Sequence, residues 1–374
     1  MTTIPSGGVY ADYLASSPLR ESAKKAIRRS LNHYGNPSSL HKKGEEASAE
    51  IDEAREIIAK CINAPVPEQI YFTSGGTESN NIATNALLSR THYPINPRSY
   101  YFSDIEHHSV LYAFWQHAGT DCLFHEMRVK EDGTANVEQI SNLRDNVVAL
   151  MYANNETGVL QPLDKVSESH FLFSDAVSAV GHVKVDIQKP HIDMLSASGH
   201  KFGGPQGTGF LYSSRPVTPL FYGGGQEQQV RPGTQNVAGI VAMAAALQEA
   251  CLNMEEETTR LREYTKIFED VISQLPEAHI LGQNAERLPG VTTVCFPYSA
   301  DSLLMRLNQR KVYASSGAAC NSGNLAVSSV LRAMRVPDRL AQGALRFSWG
   351  FKTTEEEVMY AAKALSEIIL SLQN

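Results

Sequence analysis

Along the first two-thirds of this sequence, short apolar runs of strand length alternate with helical or turn-rich stretches. That alternation restricts the chain to an α/β layer fold with a largely parallel sheet. The strand candidates are residues 69–73, 98–102, 147–152, 171–174, 194–196 and 208–212. Before the first of them, Ala47, Ile51, Ala54, Ile57, Ile58 and Cys61 fall at helical spacing, which predicts an amphipathic helix over 45–61. After it, Ser74-Gly75-Gly76-Thr77 reads as a turn that opens a helix from Glu78. Residues 236–275 read as one long helix closed by Pro276, long enough to leave one domain and enter another. The rest reads as a smaller α+β unit: a strand over 291–296, a helix over 299–309, a strand near Val312, a strand over 344–348 and a final helix from Thr354.

Two domains of unequal size suit a chain of 374 residues, and a composition 42% hydrophobic and 20% charged gives ample material for a core. We expect a large domain over 16–255 and a small one built from 1–15 and 256–374, the N-terminal share resting on topology alone. A net charge of −7 argues against a broad nucleic-acid-binding surface, which needs clustered Lys and Arg. No run approaches the roughly 18 apolar residues of a membrane span, and the N-terminus does not read as a signal peptide. Five cysteines without a CxxC pair match a reducing compartment with at least one free thiol, so the cytoplasm is expected, with no metal centre.

Five segments could carry chemistry. The Gly75-Gly76 turn lets backbone come close to a ligand, and the helix start behind it suits a phosphate, although a plain strand–helix turn would look similar. Lys201 stands in Ser198-Gly199-His200-Lys201, a small-residue turn able to desolvate an amine and make it a Schiff-base nucleophile; the alternative is a surface lysine. Asp175 follows a strand, where it serves either a ligand or a helix N-cap. Cys320, in Ser315-Ser-Gly-Ala-Ala-Cys320-Asn-Ser-Gly, has the small polar neighbours of an accessible thiol, whereas Cys61, Cys122, Cys251 and Cys295 read as buried hydrophobes. Arg346, in a strand-like Leu-Arg-Phe-Ser, needs an anionic partner: a substrate carboxylate or a structural ion pair.

In their order along the chain these segments resemble the cysteine desulfurases of the IscS/NifS kind, in the class V aminotransferase group of fold-type I pyridoxal-phosphate enzymes. The most specific stretches are Gly35-Asn-Pro-Ser-Ser, Thr73-Ser-Gly-Gly-Thr-Glu-Ser-Asn-Asn81, Glu106-His107, Asn154-Asn-Glu-Thr-Gly-Val159, Ser198-Gly-His-Lys201, Arg231-Pro-Gly-Thr234, and the Cys320 segment with Val330-Leu-Arg-Ala333. The resemblance implies a large domain with a mainly parallel seven-stranded sheet and a smaller α+β C-terminal domain carrying the cysteine loop. It implies pyridoxal 5'-phosphate held by Lys201, with Asp175 on its pyridine nitrogen and His107 stacked on the ring. Gly76, Thr77, Ser198 and His200 would bind its phosphate, joined by Thr234 of the second subunit of a homodimer. Asn155, near the cofactor, and Arg346, on the carboxylate, would orient L-cysteine, with Asn36 assisting. Cys320 would take the sulfur as a persulfide for a protein acceptor, leaving alanine. Its loop sequence resembles that of the long-loop subgroup.

Two departures stand out. Ser178 occupies the place where relatives carry a Gln that bonds the cofactor's phenolic oxygen. The chain also ends at Asn374 soon after its last helix, where housekeeping members continue into a scaffold-docking tail. That suggests a dedicated acceptor, in tRNA thiolation, DNA phosphorothioation or another cluster-assembly route. The competing activities are selenocysteine lyase and a plain aminotransferase, which needs no thiol. A silent sulfur-relay adaptor would be expected to lack Lys201, Asp175 or Cys320, and all three are present.

Overall fold

The computed structural model describes residues 7–89, 98–119, 122–316 and 327–373. Its centre is a seven-stranded sheet in the order Ile70–Thr73, Gly209–Ser213, Met194–Ser198, Phe171–Asp175, Val147–Ala149, Arg98–Ser103, Cys122–Met127. Gly209–Ser213 runs antiparallel to both neighbours, and the other adjacent pairs are parallel. A largely parallel sheet must be covered on both faces, and the period-two alternation of its side chains shows how. Leu172, Val148, Leu195 and Phe72 face one apolar cluster, while Phe171, Phe173, Val147, Met194 and Tyr71 face another. Helices Lys42–Cys61 and Val237–Leu252 cover the first face through Ile51, Ile58 and Ile240. Gly76–Leu88 and His108–His117 cover the second through Ile82, Leu87, Val110 and Phe114.

The single helix expected over 236–275 is two, Val237–Leu252 and Met254–Ile272, bent by 70° at Asn253. The cause is local. The first helix is buried over most of its surface, whereas the second begins Met-Glu-Glu-Glu, and three carboxylates suit a fresh helix N-terminus. Asn253, a poor helix former, takes the non-helical position between them. Past the bend, Phe268, Phe347, Trp349 and Leu365 form a separate core that also takes in Val9 and Ala11. Its four-stranded antiparallel sheet runs Ser315–Ser316, Ala344–Ser348, Val291–Cys295, His279–Ile280. Val312–Tyr313 pairs outside it with Val9–Tyr10.

Candidate active site

Three strands end together. Thr73, Ser198 and Asp175 are the last residues of their strands, and Gly209 opens the antiparallel strand opposite both Thr73 and Ser198. Ligand sites of open α/β sheets lie at such carboxyl ends. Here they border a cavity of about 370 Å³.

The turn after Thr73 is pressed against the sheet. Gly75 has φ of 152°, and a Cβ on Gly209 would stand 2.6 Å from the Gly75 Cα. A Cβ on Gly76 would stand 2.4 Å from Val177 Cγ2. Helix Gly76–Leu88 starts at this point with no side chain capping it, so its leading N–H groups suit an anion. Gly76, Thr77, Ser198 and His200 all line the cavity beside it. Burial, then the nearby Lys201 ammonium, push His200 down to about 4, so it is neutral at physiological pH. The turn is fastened by Glu78, which accepts the Ser74 N–H at 2.7 Å and Arg231 Nε at 2.8 Å.

Asp175, 6% exposed, accepts Asn80 Nδ2 at 2.8 Å and the Val177 N–H at 3.0 Å. Asn80 also donates to Ser109 Oγ at 2.8 Å, which lies 2.7 Å from His107 Nδ1. His107 caps helix His108–His117 by accepting the Ser109 N–H at Nδ1, so the neutral ring carries its proton on Nε2. Burial lowers its pKa, with Lys201 and His108 adding to the shift and Asp175 opposing it. Asn80 and Ser109 were not singled out in the sequence. Helix Gly76–Leu88 is rich in Asn, Ser and Thr, so no sequence signal sets Asn80 apart, and only the fold shows that it is buried.

Lys201 lines the cavity and donates from Nζ to the Leu14 carbonyl at 2.7 Å. Its own carbonyl accepts Ser17 Oγ at 2.7 Å and lies 3.0 Å from His182 Nε2, which fixes the turn. Ser178 also lines the cavity and is buried. On the far wall stand Asn155 and Arg346. Arg346 bonds the Asn155 carbonyl through Nη1 at 2.6 Å and Asp12 through Nη2 at 2.8 Å, while its buried Nε meets no described acceptor. The ion-pair reading of Arg346 and its place in the cavity therefore hold together.

Two buried carboxyls stand behind these walls. Burial raises Glu106 to about 8, although Ser103 Oγ and the Met151 N–H donate to it. Burial raises Glu156 to about 7; its carboxyl accepts Ser328 Oγ at 2.6 Å.

Asn36 and Thr234 do not line this cavity, and both are exposed. Pro37, Ser38 and residues 225–228 line a second cavity of about 670 Å³ with Gln235. Cys320 lies outside the described residues. The chain enters 317–326 from Ser315 and Ser316, paired with Arg346 and Leu345, and re-emerges before Ser328, which holds Glu156.

An α/β sheet whose strand ends place a buried aspartate, a lysine turn and an uncapped helix start around one cavity has known relatives. The sequence profile of the class-V aminotransferase family matches residues 9–360, and the chain belongs to that family. Among its relatives are cysteine desulfurases of the IscS kind. That of Dictyoglomus turgidum is 37% identical, covering 98% of this chain and 95% of its own length. That of Methanosarcina thermophila is 36% identical, covering 98% and 93%. The solved structure of a NifS-like protein superposes with a TM-score of 0.89 at 32% identity, covering 98% of this chain and all of its own. The alignments run through both parts of the fold, and the sheet with its crossing helices is that of fold-type I enzymes.

Pyridoxal 5'-phosphate is the cofactor this family uses, and the residues fit it. A Cβ on Gly76 would meet Val177, and the helix start behind it offers uncapped N–H groups to a phosphate. Asp175 is a buried carboxylate that a protonated ring nitrogen would satisfy.

Proposed function

We propose that this chain is a pyridoxal-phosphate-dependent cysteine desulfurase, which converts L-cysteine to L-alanine and carries the sulfur away as a persulfide on Cys320. What carries the reading is the way the Cys320 segment is tied down. On one side of it Ser315 pairs with Arg346, and on the other Ser328 bonds Glu156, the neighbour of Asn155; Arg346 and Asn155 line the same cavity as Lys201 and Asp175.

Gly76, Thr77, Ser198 and His200 would hold the cofactor phosphate, with Thr234 arriving from a second subunit. Asp175 would face the ring nitrogen and His107 the ring; Ser178 would face the phenolic oxygen, where its short hydroxyl would make a weaker partner than Gln. When bound, the cofactor supplies an electron sink for charge developing at the substrate α-carbon. Arg346 would take the substrate carboxylate by sharing the guanidinium that now meets Asp12, with Asn155 beside it. Lys201, which lines the cavity and whose Nζ donates to the Leu14 carbonyl, would move the α-proton. The Cys320 thiolate attacks the substrate sulfur; the substrate C–S bond breaks, the new S–S bond forms on Cys320, and the carbon skeleton leaves as alanine after protonation. Holding the nucleophile on a segment anchored at both ends lets the sulfur be delivered to an acceptor outside.

We assign the cofactor site to a unit spanning 16–255, and the cysteine segment to one formed by 1–15 and 256–374. The reading includes a homodimer, in which the exposed Thr234 would reach the neighbouring subunit's site, with Asn36 assisting from the N-terminal side. The acceptor is a protein, and the cytoplasm suits a chain that depends on a free thiol. Among the described residues no single helix is long and apolar enough to cross a membrane. The test is reconstitution. Protein supplied with pyridoxal 5'-phosphate should gain visible absorption and release alanine from cysteine, and Lys201→Ala should do neither. Alanine release by Lys201→Ala at the wild-type rate would overturn the assignment.

A further inference from the structure

Two of the cysteines that read as buried hydrophobes are neither isolated nor sealed. Cys61 is the last residue of helix Lys42–Cys61, and Cys251 lies one residue from the end of Val237–Leu252, so two helix ends bring the thiols together. Both are only part-buried, and both line one open groove of about 900 Å³ with Lys60, Lys184 and Arg262. Cys295, by contrast, is fully buried in the sheet, and burial pushes its thiol up to about 12.

We propose that Cys61 and Cys251 form a dithiol site that undergoes thiol–disulfide exchange with low-molecular-weight disulfides, separate from the sulfur-carrying Cys320. The neighbouring Cys61 thiol lowers the Cys251 thiol, with help from Arg20, while Cys251 in turn raises Cys61, which burial raises further. A dithiol split in this way has a nucleophile and a resolving thiol. Cys251 as thiolate attacks one sulfur of the small disulfide, forming a mixed disulfide and releasing one thiolate. Cys61 then loses its proton to solvent, attacks the Cys251 sulfur and expels the second thiolate. Two electrons pass from the pair to the small disulfide, which leaves as two thiols. The bond formed would join the ends of two helices just before the bend at Asn253.

The test is to treat the reduced full-length protein with oxidised glutathione and map its cysteines by peptide mass spectrometry. The expected result is a cross-linked peptide pair containing Cys61 and Cys251, with Cys295 still reduced. Cys61→Ser should instead accumulate a glutathione mixed disulfide at Cys251, while Cys251→Ser should leave Cys61 reduced at the same dose. The proposal fails if both thiols stay reduced at doses that modify Cys320. It also fails if wild-type protein keeps a stable mixed disulfide at Cys251, or if either cysteine pairs elsewhere.

Discussion

At Glu106 a carboxyl is held where water cannot reach it, 3% exposed, with one oxygen served by Ser103 and Met151 and the other by no described donor. The folded chain therefore keeps its proton up to about pH 8, whereas the unfolded chain releases it near the ordinary 4.5. Between those values the native state binds more protons than the unfolded state. This contribution is complete below the lower value and is lost as pH rises toward the upper one, by at most about 1.4 kcal/mol per pH unit. Glu106→Gln removes the titration, so urea midpoints of wild type should fall more steeply than the variant's over that window; parallel curves would contradict it. Arg346 makes a second residue-scale prediction. Arg346→Gln loses charge-assisted bonding to a carboxylate and should raise KM for cysteine roughly 10- to 100-fold, measured by steady-state alanine release. An unchanged KM would leave Arg346 as the structural partner of Asp12 only.

Among the elements, the strand–turn–helix unit from Ile70 to Leu88 carries the most for its length. Gly76→Ala sets a methyl group against Val177 in a cradle with no room, so it should cost about 1–3 kcal/mol and weaken pyridoxal-phosphate binding, read by absorption titration and thermal melting. Wild-type affinity and midpoint together would show that the turn can give. The same unit shows what a sequence makes legible. Tyr71 and Phe72 point to opposite faces of the sheet as strand alternation demands, and the glycine pair marked the turn. Edge strand Cys122–Met127 went unread because an edge strand with exposed faces, Leu123 and Glu126 included, has no apolar run to announce it. The bend at Asn253 escapes a sequence reading for the opposite reason: periodic apolar residues continue on both sides of it, and only Asn253 and the run Glu255-Glu256-Glu257 mark a new helix start. Most residues around the cavity were legible because their types are costly to bury without a purpose. Asn80 and Ser109 are not, since Asn80 reaches Asp175 across 95 residues of chain and Ser109 across 29, pairings that only the fold creates.

Across the molecule, distant segments converge on one buried carboxylate. Glu227 accepts both Arg55 Nη1 and Nη2, the Phe72 N–H at 2.9 Å and Gln235 Nε2 at 3.3 Å. Glu227, Gln228 and Gln229 all have positive φ, a strained run that this anchoring holds. Glu227→Ala leaves Arg55 uncompensated and should destabilise the fold by about 3–5 kcal/mol, measured by denaturant unfolding; a loss within 0.5 kcal/mol, roughly the scatter of surface substitutions, would contradict this. The account of the whole chain turns on sulfur passing through Cys320. Its most direct test is a single turnover with L-cysteine, followed by mass spectrometry of the protein and assay of alanine. We predict one added sulfur on the Cys320 peptide, one alanine per active site, and neither from Cys320→Ala; full-rate alanine release from Cys320→Ala would contradict the account.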